Sequence, residues 1–366
     1  MRKHPWHDLR WHWPSDQPDQ IRFPKRPLRW LAAAEYLRTA LTAIAGVPLL
    51  ATGWAVNAAR ARDITADRSD QPTADFCGVA VTCTYDAERD RALVALLREL
   101  GVRRVLVRAP VWERQRLAVL ERFVAEIAQL TGNPVVIAIL QDRASVVERR
   151  RWRADLSEIF RLLGPHAEAF QLPQAPNRTK WGCYHLGDAL DLLEDAEQVR
   201  ARFPAVRLAG PAIIDFEPAP LMRMLLNRRR FTLDVGTALL YVDRRGAPES
   251  TQCGFFDLAN KIRFTAAAFR TSPRTARSAP LWLTELNWPL LGTGFWTPTS
   301  DEECVHETTA ADYLTRSYRI AWNTGLVERV YWWQLAAPGY GLVDMQSGVQ
   351  RRPAFTALQK LLAAGV

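Results

Sequence analysis

The stretch FCGVAVTCTYDAERDRALVALLRELGVRRVLVRAP, residues 76–110, decides how the rest of the chain reads. It opens with small and β-branched residues, then enters a segment in which Leu93, Leu96, Leu97 and Leu100 fall on one helical face. Gly101 is a natural stop for that helix, and a second apolar run, Arg104–Arg108, follows at once. Strand, helix and strand in immediate succession is the unit of a parallel sheet. The unit recurs. Apolar runs lie at Phe76–Thr82, Arg104–Arg108, Pro134–Leu140, Ala167–Leu172, Val206–Ile214, Leu233–Val242, Pro280–Thr284 and Glu328–Gln334. Amphipathic stretches separate them. One carries Leu117, Leu120, Val124 and Ile127 and ends near Gly132; another carries Leu314, Tyr318 and Ala321 and ends at Gly325. Eight such units over residues 73–366 predict an α/β chain folded as a (β/α)8 TIM barrel.

An open, doubly wound sheet is the competing architecture, but it advertises a glycine-rich phosphate turn after its first strand, and Phe76–Asp86 has none. No GxxxxGK[ST] and no GxSxG occurs either. With 48% hydrophobic and 24% charged residues, the 366-residue chain is neither disordered nor polytopic. Five cysteines match no zinc spacing, and His166, His185 and His306 are the only histidines past residue 12, so neither a metal nor a cofactor is expected. The net charge of +9 is almost all Arg and is spread evenly: residues 1–70 hold 11 basic and 7 acidic side chains, residues 71–366 hold 37 and 32. That pattern reads as a solvated surface and not as a nucleic-acid stripe.

The amino-terminal region reads differently. Residues 1–38 are an irregular basic and aromatic arm, 39–59 an apolar helix, and 60–72 a linker. TALTAIAGVPLLATGWAVNAA, residues 39–59, contains no charge and is long enough to cross a bilayer once. Eight Lys and Arg precede it and three follow shortly, which places the amino terminus in the cytoplasm and the barrel beyond the inner membrane. A peripheral or cytoplasmic location, with the segment buried or lying on a surface, is the alternative.

Active sites of such barrels lie at the carboxyl ends of the strands. The polar residues there are Arg108, Gln141 and Asp142, Gln174 and Asn177, Asp215 and Glu217, Tyr241 and Asp243, Glu285 and Asn287, then Gln334 and Tyr340. Trp288, Trp332 and Trp333 add aromatic surface. Carboxylates and amides that bind hydroxyls, beside indole faces that stack on sugar rings, predict a polysaccharide- or oligosaccharide-binding cleft. Trp332 and Trp333 are adjacent, so only one faces the cleft.

PLWLTELNW (280–288), VYWWQL (330–335) and GLVDMQSGVQRRPAFTAL (341–358) resemble the closing portion of clan A glycoside hydrolases, above all family 39 and its bacterial polysaccharide-acting relatives. The resemblance implies that Glu285 is the nucleophile, that Trp333 floors the sugar site, and that Arg108 keeps the nucleophile ionised. Asn177, Tyr241, Gln334 and Asn287 are the further substrate-binding residues it points to, and a cell-envelope polysaccharide or lipopolysaccharide glycan is the implied substrate. The departure lies at the fourth strand, where the clan carries Asn-Glu-Pro with the Glu as acid/base. Here LPQAPNRTKWG puts Gln174 at the Asn position and Ala175 at the Glu position. The sixth strand's usual His-x-Tyr reads Leu239-Leu240-Tyr241.

Retaining hydrolysis needs two carboxyl groups about 5–5.5 Å apart, inverting hydrolysis roughly 6.5–9.5 Å. The acid/base contributes about 10²–10⁴-fold. Either a neighbouring carboxylate supplies the proton, Glu217 first, or the barrel is a pseudoenzyme that binds glycan without cutting it. Asp243-Arg244-Arg245-Gly246 reads as a charged turn, or as a contact for an acidic glycan. Cys253 and Cys304 lie in loops where pairing is conceivable, and Asn177-Arg-Thr is a formal glycosylation sequon.

Overall fold

The computed structural model describes residues 11–12, 17–18, 29–66, 69, 71–293, 296 and 301–365. Helix α1 (Arg29–Ala66) precedes strand β1 (Cys77–Val81) and α2 (Ala87–Leu100). Then come β2 (Arg104–Pro110), α3 (Leu117–Thr131), β3 (Val135–Leu140), α4 (Arg143–Val147) and α5 (Arg149–Leu163). These lead into β4 (Ala167–Gln171), α6 (Leu186–Arg200), β5 (Leu208–Ile214), α7 (Pro218–Leu225), β6 (Val235–Leu239) and α8 (Leu258–Thr271). The chain closes with β7 (Leu281–Glu285), α9 (Glu307–Asn323), β8 (Arg329–Trp332) and α10 (Pro353–Ala364). Strands β1 to β8 form a closed parallel barrel in chain order, with β8 returning to β1 through the Val330–Cys77 pair. Each expected apolar run coincides with one strand, β2 and β7 extending past theirs to Pro110 and Glu285.

Local chemistry explains the elements. Asp86 caps α2 by accepting from the Glu88 and Arg89 amides, both at 3.0 Å. Gly101, at φ 72°, closes it in the left-handed region. The strands obey period two. Leu106 faces the barrel interior beside Val136, Ala138, Ala169, Ala209 and Val235. Val105 and Val107 face outward, into the layer between strands and helices.

The amino-terminal extension departs from its expected bounds. Residues 29–38, assigned above to an irregular arm, and residues 60–66, assigned to a linker, belong to one 38-residue helix, α1. The rest of the arm lies outside the described residues apart from 11–12 and 17–18. Within α1, Ala33–Arg62 is long and apolar enough to cross a membrane, with a mean hydropathy of 1.5. It packs along α7 and α8 on the flank of the barrel.

Candidate active site

At the barrel mouth the centre of organisation is Glu285, 6% exposed at the end of β7. Three donors from three strand ends converge on its carboxylate. The Tyr241 hydroxyl donates to Oε1. Arg108 Nη2 donates to Oε2 at 3.2 Å, and Gln174 Nε2 donates to the same oxygen at 3.2 Å. Burial pushes the Tyr241 phenol well above its ordinary pKa, and the Glu285 charge adds to the effect. Tyr241 therefore stays a neutral donor. Arg108 also stacks its guanidinium 3.5 Å from the centre of the Trp333 ring.

Strand parity places most of this group. Leu106 faces the interior, so Arg108 does too; Val235 faces in, and Leu239 and Tyr241 follow on the same side. On β8, Tyr331 and Trp333 point inward, while Trp332 turns out to stack on Trp288 with ring centroids 5.9 Å apart. Glu285 breaks the pattern. Trp282 is interior and Leu283 exterior, so simple alternation would send Glu285 outward. An irregularity in the β6–β7 register, with Ala238 opposite Leu283 and Leu239 opposite Glu285, admits an extra residue on β7 and turns the carboxylate into the mouth.

The end of β4 is a different environment. Gln141, just past β3, pins Gln174 at both its backbone groups, accepting from its amide at 2.9 Å and donating to its carbonyl at 2.7 Å. Gln171 donates to the Gln174 side-chain oxygen at 3.0 Å, which aims the Gln174 amide at Glu285. Ala175 is fully buried and sits at φ 38°, a region a non-glycine residue rarely adopts. Its methyl packs with Leu140, Trp181, Ala212, Leu239 and Tyr241.

A cleft of about 440 Å³ opens over Glu285, Tyr241, Asn287, Trp333 and Tyr340, with Lys180, Asp215, Glu217 and Arg245 among its walls. Several expected residues reach this mouth but bond within the protein. Glu217 accepts from Arg178 Nη1 at 2.6 Å, and Asp215 from Arg178 Nη2 at 2.6 Å. Asp142 accepts from the Ser145 amide at 2.7 Å and caps α4. Asn177 bonds to backbone: its side-chain amide donates to the Ile214 carbonyl at 2.9 Å and accepts from the Ile214 amide at 3.1 Å, so it buttresses the end of β5, and it is not among the residues that line the cleft. Asn287 donates to the Trp333 carbonyl at 2.7 Å and holds that indole in place. Gln334 accepts from Thr82 Oγ1 at 3.1 Å and lines a separate hollow of about 460 Å³ on the β1 side. Cys253 and Cys304 are not joined in a disulfide. Among the described residues, no cluster of three His, Cys, Asp or Glu side chains is able to hold a metal.

No family model matches the sequence, and no curated protein does. Solved structures do match. The virulence factor SghA from Agrobacterium tumefaciens superposes over 83% of this chain and 99% of its own, with a TM-score of 0.56 at 12% identity. A GH1 beta-glucosidase from Exiguobacterium antarcticum covers 80% of this chain and 98% of its own, with a TM-score of 0.56 at 9% identity. An alpha-L-arabinofuranosidase from Thermotoga maritima, solved as its arabinose complex, covers 75% and 63% with a TM-score of 0.53 at 13% identity. The likeness is one of fold: the chain is a closed (β/α)8 barrel.

Within that barrel, the cleft residue Lys180 had no signal in the sequence, while Arg245 belongs to the turn read above as charged or as a contact for an acidic glycan. Lys180, in the loop after β4, is lowered to a pKa of about 8 by burial, with the Glu285 charge opposing the shift. Arg245, at φ 52°, lays its guanidinium 3.5 Å from the Tyr241 ring centre and donates to the Asn287 carbonyl at 3.0 Å. Neither belongs to a strand, so no periodicity marks it.

Proposed function

We propose that this barrel recognises a polysaccharide of the bacterial cell envelope and presents Glu285 to it as a glycosidase-type nucleophile. The observation that carries the reading is the convergence of Tyr241, Arg108 and Gln174 on one buried carboxylate beside the Trp333 face. Such an arrangement orients an oxygen for attack and balances its charge with Arg108. Family 39-like strand ends and the substituted acid position at Ala175 complete the proposal. Lys180, Arg244 and Arg245 on the cleft wall favour a glycan that carries acidic sugars.

Without an acid at position 175, Glu285 acts on leaving groups that need no proton. The test is covalent trapping. The protein is incubated with dinitrophenyl 2-deoxy-2-fluoro glycosides of a sugar panel and digested for mass spectrometry. A glycosyl adduct on the Glu285 peptide is the expected result. The second reading, a glycan-binding pseudoenzyme, is favoured by the sealing of Ala175 among apolar side chains. Saturable glycan binding with no adduct from any sugar would decide for it.

A further inference from the structure

Helix α1 turns its polarity inside out. The residues it buries fully against the barrel are Glu35, Thr39, Gly46, Gly53 and Asn57, a stripe of small and polar side chains at helical spacing, with Ala43, Leu50 and Trp54 half-buried along its edges. Tyr36, Leu37, Leu41, Ile44, Val47 and Val56 are exposed, Tyr36 at 75% and Ile44 at 70%. A helix docked on a protein in water does the reverse, with its apolar stripe inward. Small residues toward the protein partner and large apolar residues away from it is the arrangement adopted where the surroundings are hydrocarbon.

The docking itself is specific. Glu35 accepts from Arg223 Nε at 2.9 Å, with the two side chains 9% and 14% exposed. Asn57 accepts from Arg270 at the other end. Between them the helices close to backbone contact. A Cβ at Gly46 would stand 2.3 Å from Met222, and one at Gly53 would stand 2.6 Å from the Ala267 carbonyl oxygen. The covered face of α8 is itself small, with Ala266 and Ala267 buried under α1. Crossing a bilayer would pull α1 away from these contacts and leave Arg223 and Arg270 without them.

Exposed cations frame the apolar face: Arg38 at the start of the stretch, Arg60 and Arg62 at its end, and Arg228 and Arg230 just past α7. They complement the charge of an anionic lipid headgroup layer. We propose that α1 stays docked on the α7–α8 flank and lies along the surface of an anionic bilayer, with its Tyr36–Val56 face in the headgroup–acyl boundary. The barrel is then held at the membrane without being threaded through it. The inference is independent of what the cleft binds.

The experiment uses the full chain in a Cys253→Ser, Cys304→Ser background, mixed with sealed vesicles of phosphatidylcholine and phosphatidylglycerol. Flotation with the vesicles is expected, falling at least tenfold for Leu41→Glu/Ile44→Glu/Val47→Glu while the barrel's thermal transition is unchanged. The single variants Arg38→Cys and Arg62→Cys report topology. A surface-lying α1 leaves both open to an impermeant maleimide added outside. Labelling of only one end means α1 spans, and overturns the proposal. So does failure of the parent protein to float, or an apolar face consumed by dimerisation that the triple variant dissolves.

Discussion

The ends of β7 and β4 face each other across the same barrel mouth and have opposite characters. At β7 a buried carboxylate is met by a phenol, a guanidinium and an amide, each held in turn by a second group. At β4 the corresponding position is a methyl in a left-handed backbone, closed over by Leu140, Trp181 and Leu239. An anion-holding half and a proton-donating half are separable parts of such a site, because they reside on different strands with separate supports. Gln174 shows how they separate: it sits beside Ala175, the proposed site of the substituted acid, yet its own amide serves Glu285.

The largest effect expected from breaking this contrast is at Glu285. Glu285→Gln keeps the shape of the side chain and removes the proposed nucleophile, so turnover of an activated aryl glycoside should fall by roughly 10⁴-fold, about 5.5 kcal/mol in the barrier. A steady-state assay with dinitrophenyl glycosides checks it; unchanged turnover would remove Glu285 from the chemistry. Next comes Arg108→Met, which leaves the Glu285 carboxylate buried beside an apolar chain. Breaking a buried pair by removing one partner costs about 3–5 kcal/mol, so urea denaturation should show a much lower midpoint.

Ala175→Glu attacks the other half. A carboxylate forced into that apolar cluster should lower stability by roughly 2–4 kcal/mol, read in the same denaturation experiment. A simultaneous rise of about 10²-fold in hydrolysis of an unactivated glycoside would show that only the acid was missing.

The smallest predicted effect is electrostatic. Burial lowers the Lys180 pKa to about 8, so its charge is present below that pH and lost above it. Affinity for an oligosaccharide bearing uronic acids should therefore drop by about tenfold between pH 7 and 9.5, as one favourable charge disappears. Lys180→Met should bind weakly and equally at both pH values in calorimetry. A variant that kept the wild-type pH profile would exclude Lys180 from the contact.

Much of the fold was legible because its signals are local. Leucines at helical spacing before Gly101 mark α2, and β-branched runs mark strands such as β2 and β3. Parity within a strand also carried part of the site: once Leu106 is interior, Arg108 must be, and Tyr241 and Trp333 follow in the same way from Leu239 and Tyr331. What holds Asn177 was illegible for the opposite reason. Its residue type suits a sugar hydroxyl, but the Ile214 backbone occupies both of its polar atoms, and nothing in a sequence reveals that engagement.

Residue order alone determined eight strand–helix units, their closure into a ring, and which side of most strands faces the mouth. These follow from periods of two and about 3.6 residues acting within a single element. Three features were decided only by the tertiary structure. The extra residue in the β6–β7 register turns Glu285 inward against its own parity. The packing of five side chains seals Ala175. The flank of α7 and α8 receives the small and polar stripe of an apolar helix, with Leu50 and Trp54 half-buried beside it, and leaves residues such as Tyr36, Leu37 and Ile44 outside. Each depends on contacts between segments far apart in the chain, where no local period constrains which groups will meet.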